Sequence, residues 1–171
     1  MKVMILARPK KQGLDYFPLD VNVDNKIEIL ESKYGILGFG FIIKLFQKIY
    51  ANGYYLEWNK YSPILLKKEI GIEEDKISEF IDFCLEISIF DKTLYSTYGI
   101  LTSKGIQKRY FTVCKRRKDV EIINNYLLVK PGDYGVNVNN NPPNNNNNES
   151  SQPEENKSKN DENAKTPLER S

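Results

Sequence analysis

The sequence predicts a mainly α fold with a small β-sheet, followed by a low-complexity tail. Three observations point there. Apolar residues recur at helical three-and-four spacing in successive stretches between positions 24 and 118. Short aromatic and β-branched runs at 54–58 and 87–95 separate them and have strand character. From Val138 onward the only strongly apolar residues are Val138, Ala164 and Leu168, too few to offset the entropy of ordering the segment. The expected organisation is an N-terminal arm over 1–23, a folded domain over 24–130, and a disordered Asn-rich tail or linker over 131–171. A folded part of this size buries roughly two thirds of its unfolded surface, enough for one core.

The elements follow in order. Pro18 forces its predecessor toward an extended conformation, so residues 14–23 form an extended arm. Asp24 or Asn25 caps a helix that runs to about Lys33 with Ile27, Ile29 and Leu30 as apolar positions, and Gly35 ends it. A second helix from about Leu37 to Asn52 leaves only Lys44, Gln47 and Lys48 as a polar stripe, which makes it central to the fold. Tyr54, Tyr55, Leu56, Glu57 and Trp58 read as a short strand. Ser62 and Pro63 open a short helix that Gly71 closes. Residues 73–86 form a longer helix with Ile77, Phe80, Ile81, Cys84 and Leu85 on one face. Residues 87–95, broken at Asp91 and Lys92, read as a β-hairpin, and 99–101 add a short strand or lead into the last helix. That helix spans about 103–118. The order is that of a winged helix-turn-helix domain with an extra C-terminal helix.

Charge is distributed unevenly. The formal net charge is +2, yet residues 1–130 hold 21 Lys and Arg against 16 Asp and Glu, and the rest of the chain 4 against 7. Residues 69–91 carry eight acids and the single Lys76. Residues 100–118 carry Lys104, Lys108, Arg109, Lys115, Arg116, Arg117 and Lys118 with no acid. On a helical wheel Lys104, Lys108 and Lys115 cluster on one side with Arg109 and Arg116 beside them. Ile106, Tyr110, Val113 and Cys114 form the docking side. A solvated face usually mixes signs, so the run predicts contacts to nucleic-acid phosphates, with little sequence preference. In ordinary helix-turn-helix docking the 73–86 helix would enter the major groove, but its acids oppose that. The acids Glu73, Glu74, Glu79, Asp82 and Glu86 suit a protein-binding surface instead, and the basic helix of a second copy is one candidate partner.

Catalytic readings find little support. The chain has no His, which removes His triads, His bases and His metal ligands. No P-loop spacing is present. Gly35, Gly38 and Gly40 suit a turn or close packing rather than a phosphate loop. Asp15, Asp20 and Asp24 have the chemistry of a Mg²⁺ site, but surface acids on an arm are the simpler reading. No cofactor and no enzyme activity are expected. Tyr54, Tyr55 and Trp58 are expected in the core rather than stacked on bases; Tyr95 and Tyr98 lie near the expected hairpin. Cys84 and Cys114 fit buried free thiols, and with no signal peptide and no membrane span they suggest the cytoplasm.

GLDYFPLD, GILGFGFIIKLFQKIYANGYYLEW and FDKTLYSTYGILTSKGIQKRYFTVCKRRK resemble the N-terminal domain of a family of phage and prophage proteins. In many of these the domain precedes a DnaD-like replication domain. The resemblance covers about Arg8 to Lys118, and GILTSKGIQKRYF with KRRK is its most specific part. It implies a winged helix in a primosome-like or replisome-organiser protein, with DNA, further copies of itself, and replication proteins such as a helicase or its loader as partners. The stretch VNVDNKIEIL, less aromatic and acidic than in such relatives, departs from the pattern. An oligomerisation or adaptor module is the alternative; a prophage transcription regulator is disfavoured by the acidic helix.

Overall fold

In the computed structural model, residues 12–117 and 120–136 are described. They form helix α1 (Asn25–Asn52), strand β1 (Leu56–Glu57), α2 (Ser62–Ile70), α3 (Glu74–Glu86), α4 (Lys92–Tyr98), strand β2 (Ile100–Leu101) and α5 (Lys104–Cys114). Two 3-10 turns follow, at Asn124–Tyr126 and Pro131–Tyr134. The architecture is α+β: mostly helical, with β1 and β2 paired antiparallel in the register Leu56↔Leu101 and Glu57↔Ile100. Among the described residues no helix is long and apolar enough to cross a membrane.

α1 unites the two expected helices. Asp24 caps it, its carboxylate accepting from the Lys26 amide at 2.9 Å. The expected break is a kink at Gly35, where φ 66 and ψ −160 interrupt the helix. A side chain is disfavoured at that φ, so glycine permits the bend. Beyond it Phe41, Ile42, Leu45, Phe46, Ile49 and Tyr50 are buried and form the centre of the core. Lys44 and Gln47 face outward, and Lys48 reaches Glu69 at 2.6 Å.

α2 and α3 are joined through Gly71, whose left-handed backbone closes α2. Tyr61 rather than Ser62 is the cap residue; the Ser62 hydroxyl accepts instead from the Asn59 amide at 2.9 Å. α3 buries Ile77, Phe80, Ile81, Cys84 and Leu85, the face read from its spacing.

The expected hairpin over 87–95 does not form. The chain turns at Ser88, with φ 60, and residues 92–98 become α4. Asp91 decides this, because its carboxylate accepts from the Leu94 amide at 2.9 Å and caps a helix there. β1 takes its partner from β2 instead, and Tyr95 and Tyr98 lie on a helix rather than a hairpin.

The last helix is shorter than expected, ending at Cys114, with Lys115 still in helical backbone geometry. The segment after it belongs to the core. Gln107, fully buried, donates to the Tyr126 carbonyl at 2.7 Å and accepts from the Leu128 amide at 2.7 Å. Val120, Pro131 and Val136 are buried. The expected tail boundary at 131 is therefore too early, since residues 131–136 pack on the domain. The rest of the expected tail, from 137, lies outside the described residues, as do residues 1–11 of the arm. Cys84 and Cys114 are free, buried thiols, and burial raises the Cys84 pKa to about 12.

Candidate nucleic-acid interface

α5 is held on one side and open on the other. Ser103 caps it, its hydroxyl accepting from the Ile106 amide at 3.4 Å. Ile106, Gln107, Tyr110, Phe111 and Cys114 are buried. Tyr54 packs against Tyr110 and Phe111, with ring centroids at 5.6 and 5.4 Å. On the opposite side Lys104, Lys108, Lys115 and Arg116 are exposed. These four are the part of the basic run that the fold presents to solvent. Lys118 lies outside the described residues.

The other two arginines are engaged within the domain. Arg117 donates to the Gln12 carbonyl at 3.0 Å and the Gly13 carbonyl at 2.8 Å, and the Tyr110 hydroxyl donates to the same Gln12 carbonyl at 2.8 Å. Gly13 is buried where the arm crosses the end of α1. A Cβ there would lie 1.8 Å from the Ala51 carbonyl oxygen, so only glycine fits. The Leu14 amide bonds the Tyr50 carbonyl at 2.7 Å, and Phe17 stacks on Tyr50 at 4.8 Å. Arg109 pairs with Asp20 at 3.0 Å. Burial works against its charge, but Asp20 and the neighbouring Tyr50 hydroxyl outweigh that and hold it protonated. The Tyr50 hydroxyl is itself buried without a well-aligned hydrogen-bond partner. Burial raises its pKa to about 12 despite Arg109. Asp20 and Asp24, two of the three arm acids with metal-ligand chemistry, are thus used as an ion-pair partner and a helix cap.

The first turn of α5 borders a groove of about 430 Å³. Its walls come from the start of α1, the 88–93 turn and α5, and its rim carries Lys26, Lys92, Lys104 and Arg109. Lys26 and Lys92 were not legible as site residues, because they are distant in sequence and the fold alone gathers them. A local signal did exist. Each of Lys26, Lys92 and Lys104 follows a helix cap (Asp24, Asp91, Ser103) and lies in a first turn, where the helix dipole disfavours cations by ~0.3–1 kcal/mol apiece. α4 and α5 place no acid in that turn.

The acidic surface is partly neutralised. Lys67 of α2 bonds Glu73 at 2.6 Å and lies 3.7 Å from Glu74, and Lys76 pairs with Glu79 at 2.9 Å. Lys76 lowers the Glu79 carboxyl pKa, and Glu73 raises that of Lys67. Such exposed pairs add little stability. Asp75, Asp82 and Glu86 are exposed along α3. Tyr54 and Trp58 are buried, as expected, and the Tyr54 hydroxyl accepts from the Ile123 amide at 2.8 Å. Tyr55 and Tyr98 both pack on Tyr126, at 4.9 and 5.2 Å.

Residues 16–106 match the family described as "Lin1244/Lin1753-like, N-terminal". The match runs from the arm through the first turn of α5 and includes Lys26, Lys92 and Lys104. The chain is also 41% identical over 126 residues to the "Uncharacterized phage-related protein Lin1244/Lin1753" of Listeria innocua serovar 6a (strain ATCC BAA-680 / CLIP 11262). That alignment covers 72% of this chain and 41% of the relative, so the chain spans well under half the length of the curated protein it matches. No solved structure matches. With the family match extending over more than half of its length, the chain belongs to the Lin1244/Lin1753-like N-terminal family, a phage-related family.

Proposed function

We propose that this domain is a non-catalytic nucleic-acid-binding module of a phage or prophage replication-type protein, and that it grips phosphates through the exposed side of α5. The observation that carries this reading is the separation of roles on that helix. Its apolar side chains, and Arg117 just past its end, build the domain, while Lys104 and Lys108 on the helix and Lys115 and Arg116 directly after it are exposed, with no acid in the helix. Phosphate contacts of this kind give affinity that falls steeply with salt and depends little on sequence. A phage-related family suits a protein that handles phage nucleic acid. A helicase or its loader is the protein partner that fits a replication role.

The test is binding to random-sequence single-stranded and duplex DNA across a salt series. A Lys108→Ala/Lys115→Ala/Arg116→Ala variant spares both internally engaged arginines. Each lost phosphate contact should flatten the log–log salt slope by about 0.9 on duplex and 0.7 on single strands. Unchanged affinity and slope would reject the proposal.

A second reading has its own observation: α3 and α5 present opposite charge on one domain. In that reading the domain is an oligomerisation or adaptor module, with Glu73, Glu74, Glu79, Asp82 and Glu86 meeting a basic surface. Light scattering at low salt decides it, since self-association that vanishes in the same triple variant is required.

A further inference from the structure

We infer that the groove beside the first turn of α5 is a nucleotide-phosphate subsite, which holds one nucleotide unit of a single strand. This deepens the nucleic-acid reading and rests on it. Three separate helices bring four cations to the lining: Lys26 from α1, Lys92 from α4, and Lys104 and Arg109 from α5. Two carboxylates, Asp24 and Asp91, also line it. Both are turned to backbone amides, of Lys26 and Leu94, as helix caps. Arg109 shares its charge with Asp20. Lys26, Lys92 and Lys104 make no ion pair among the described residues. Lys26 is steadied by a neutral acceptor, the Ser88 carbonyl at 2.7 Å, and the lining as a whole carries four cations against the two carboxylates.

Size and lining then select the ligand. A volume of about 430 Å³ is that of a small-molecule pocket. It accepts one nucleotide-sized group and excludes a duplex. The floor is apolar, made by Phe46, Ile89 and Ile106. A phosphate on the lysines leaves the base or sugar against that floor, which a paired base inside a duplex does not offer. Gly105 lines the groove too and leaves the first turn of α5 open, since a Cβ there would crowd the Arg109 guanidinium at 3.3 Å.

The experiment compares the full chain with two variants, Lys26→Ala/Lys92→Ala in the groove and Lys108→Ala/Lys115→Ala/Arg116→Ala on the open face. The probes are labelled oligothymidine, a labelled random duplex, and thymidine monophosphate. At about 0.1 M salt the groove variant should bind oligothymidine roughly tenfold more weakly, as expected for two lost phosphate contacts, with duplex binding nearly unchanged. Loss of thymidine monophosphate binding with oligothymidine unaffected would keep the nucleotide subsite but overturn the single strand as the source of its ligand. Unchanged binding of both, or equal weakening of strand and duplex, overturns the inference. If the face variant keeps full affinity while the groove variant loses strand binding, the open-face reading fails and the groove stands. Lys92→Ala alone, which removes an exposed side chain, repeats the test should the double variant lose helical signal.

Discussion

Arg117 reaches back 105 positions to the Gln12 carbonyl and ties the end of the basic run to the N-terminal arm. The guanidinium also takes the Gly13 carbonyl, so one side chain closes two backbone acceptors. Bonds to a charged group contribute about 1.5–3 kcal/mol each, and the Gln12 carbonyl keeps the Tyr110 hydroxyl when Arg117 is removed. Arg117→Ala should therefore lower stability by ~2–3 kcal/mol, and Arg117→Lys should recover only part of it, because an ammonium lacks the planar fork. Urea unfolding measures both. Wild-type stability in Arg117→Ala, with DNA affinity lost, would show that the residue serves a ligand instead.

The arm offers a second test at Gly13. Its backbone lies so close to Ala51 that any side chain must push the arm off α1. Gly13→Ala should cost about 1–3 kcal/mol, the range for overpacking a tight contact. Phe17 would lose its stack on Tyr50, so near-ultraviolet circular dichroism should change along with the melting temperature. An unshifted melting temperature would mean that the arm is not packed on the domain.

Alkaline pH should unfold the domain over a definite window. Burial raises Tyr50 and Tyr54 to about 12 from an ordinary value of 10. In the unfolded chain these phenols ionise near 10, so above that pH the unfolded state binds fewer protons than the native state. Stability then falls as pH rises, by about 1.4 kcal/mol per pH unit for each tyrosine, until the native phenols ionise as well. The contribution is complete below pH 10 and lost through pH 12. Tyr50→Phe should shallow the slope over that window in urea titrations. A slope identical to wild type would contradict the burial of that hydroxyl.

Much of this fold was legible because periodicity reports burial. The faces of α3 and of α1 beyond Gly35 follow from apolar spacing, as do Ile106, Tyr110 and Cys114 on α5, but Ile29 is exposed, Val113 is only half-buried, and the buried Gln107 and Phe111 escape that spacing. The hairpin failed for a local reason. Residues 92–98 have strand-like composition, but one hydrogen bond, donated by the Leu94 amide to the Asp91 carboxylate, caps a helix, and composition carries no record of that bond. The site was half legible. The charge on α5 could be counted from the sequence, but its division between the exposed lysines and the anchored Arg109 and Arg117 depends on where the arm lies. Lys26 and Lys92 join the groove only through tertiary packing, which no spacing encodes.

Gln107 gives the last test, of the segment beyond α5. It lies in the middle of a charged helix, yet it is fully buried, and its amide holds the Tyr126 carbonyl and the Leu128 amide while lying 3.3 Å from the Thr102 hydroxyl. Thr102 in turn donates to the Tyr54 carbonyl at 2.6 Å, so the network joins the strand region to the C-terminal segment. Gln107→Leu preserves much of the volume but leaves a part-buried donor and acceptor unpaired, at up to about 1–3 kcal/mol for each group. The loss should be local before it is global. Hydrogen exchange at the Leu128 amide should quicken by roughly tenfold or more, since every 1.4 kcal/mol is a factor of ten, while amides in the middle of α1 change only by the global destabilisation. Equal acceleration at both places would mean that residues 120–136 unfold only with the whole domain.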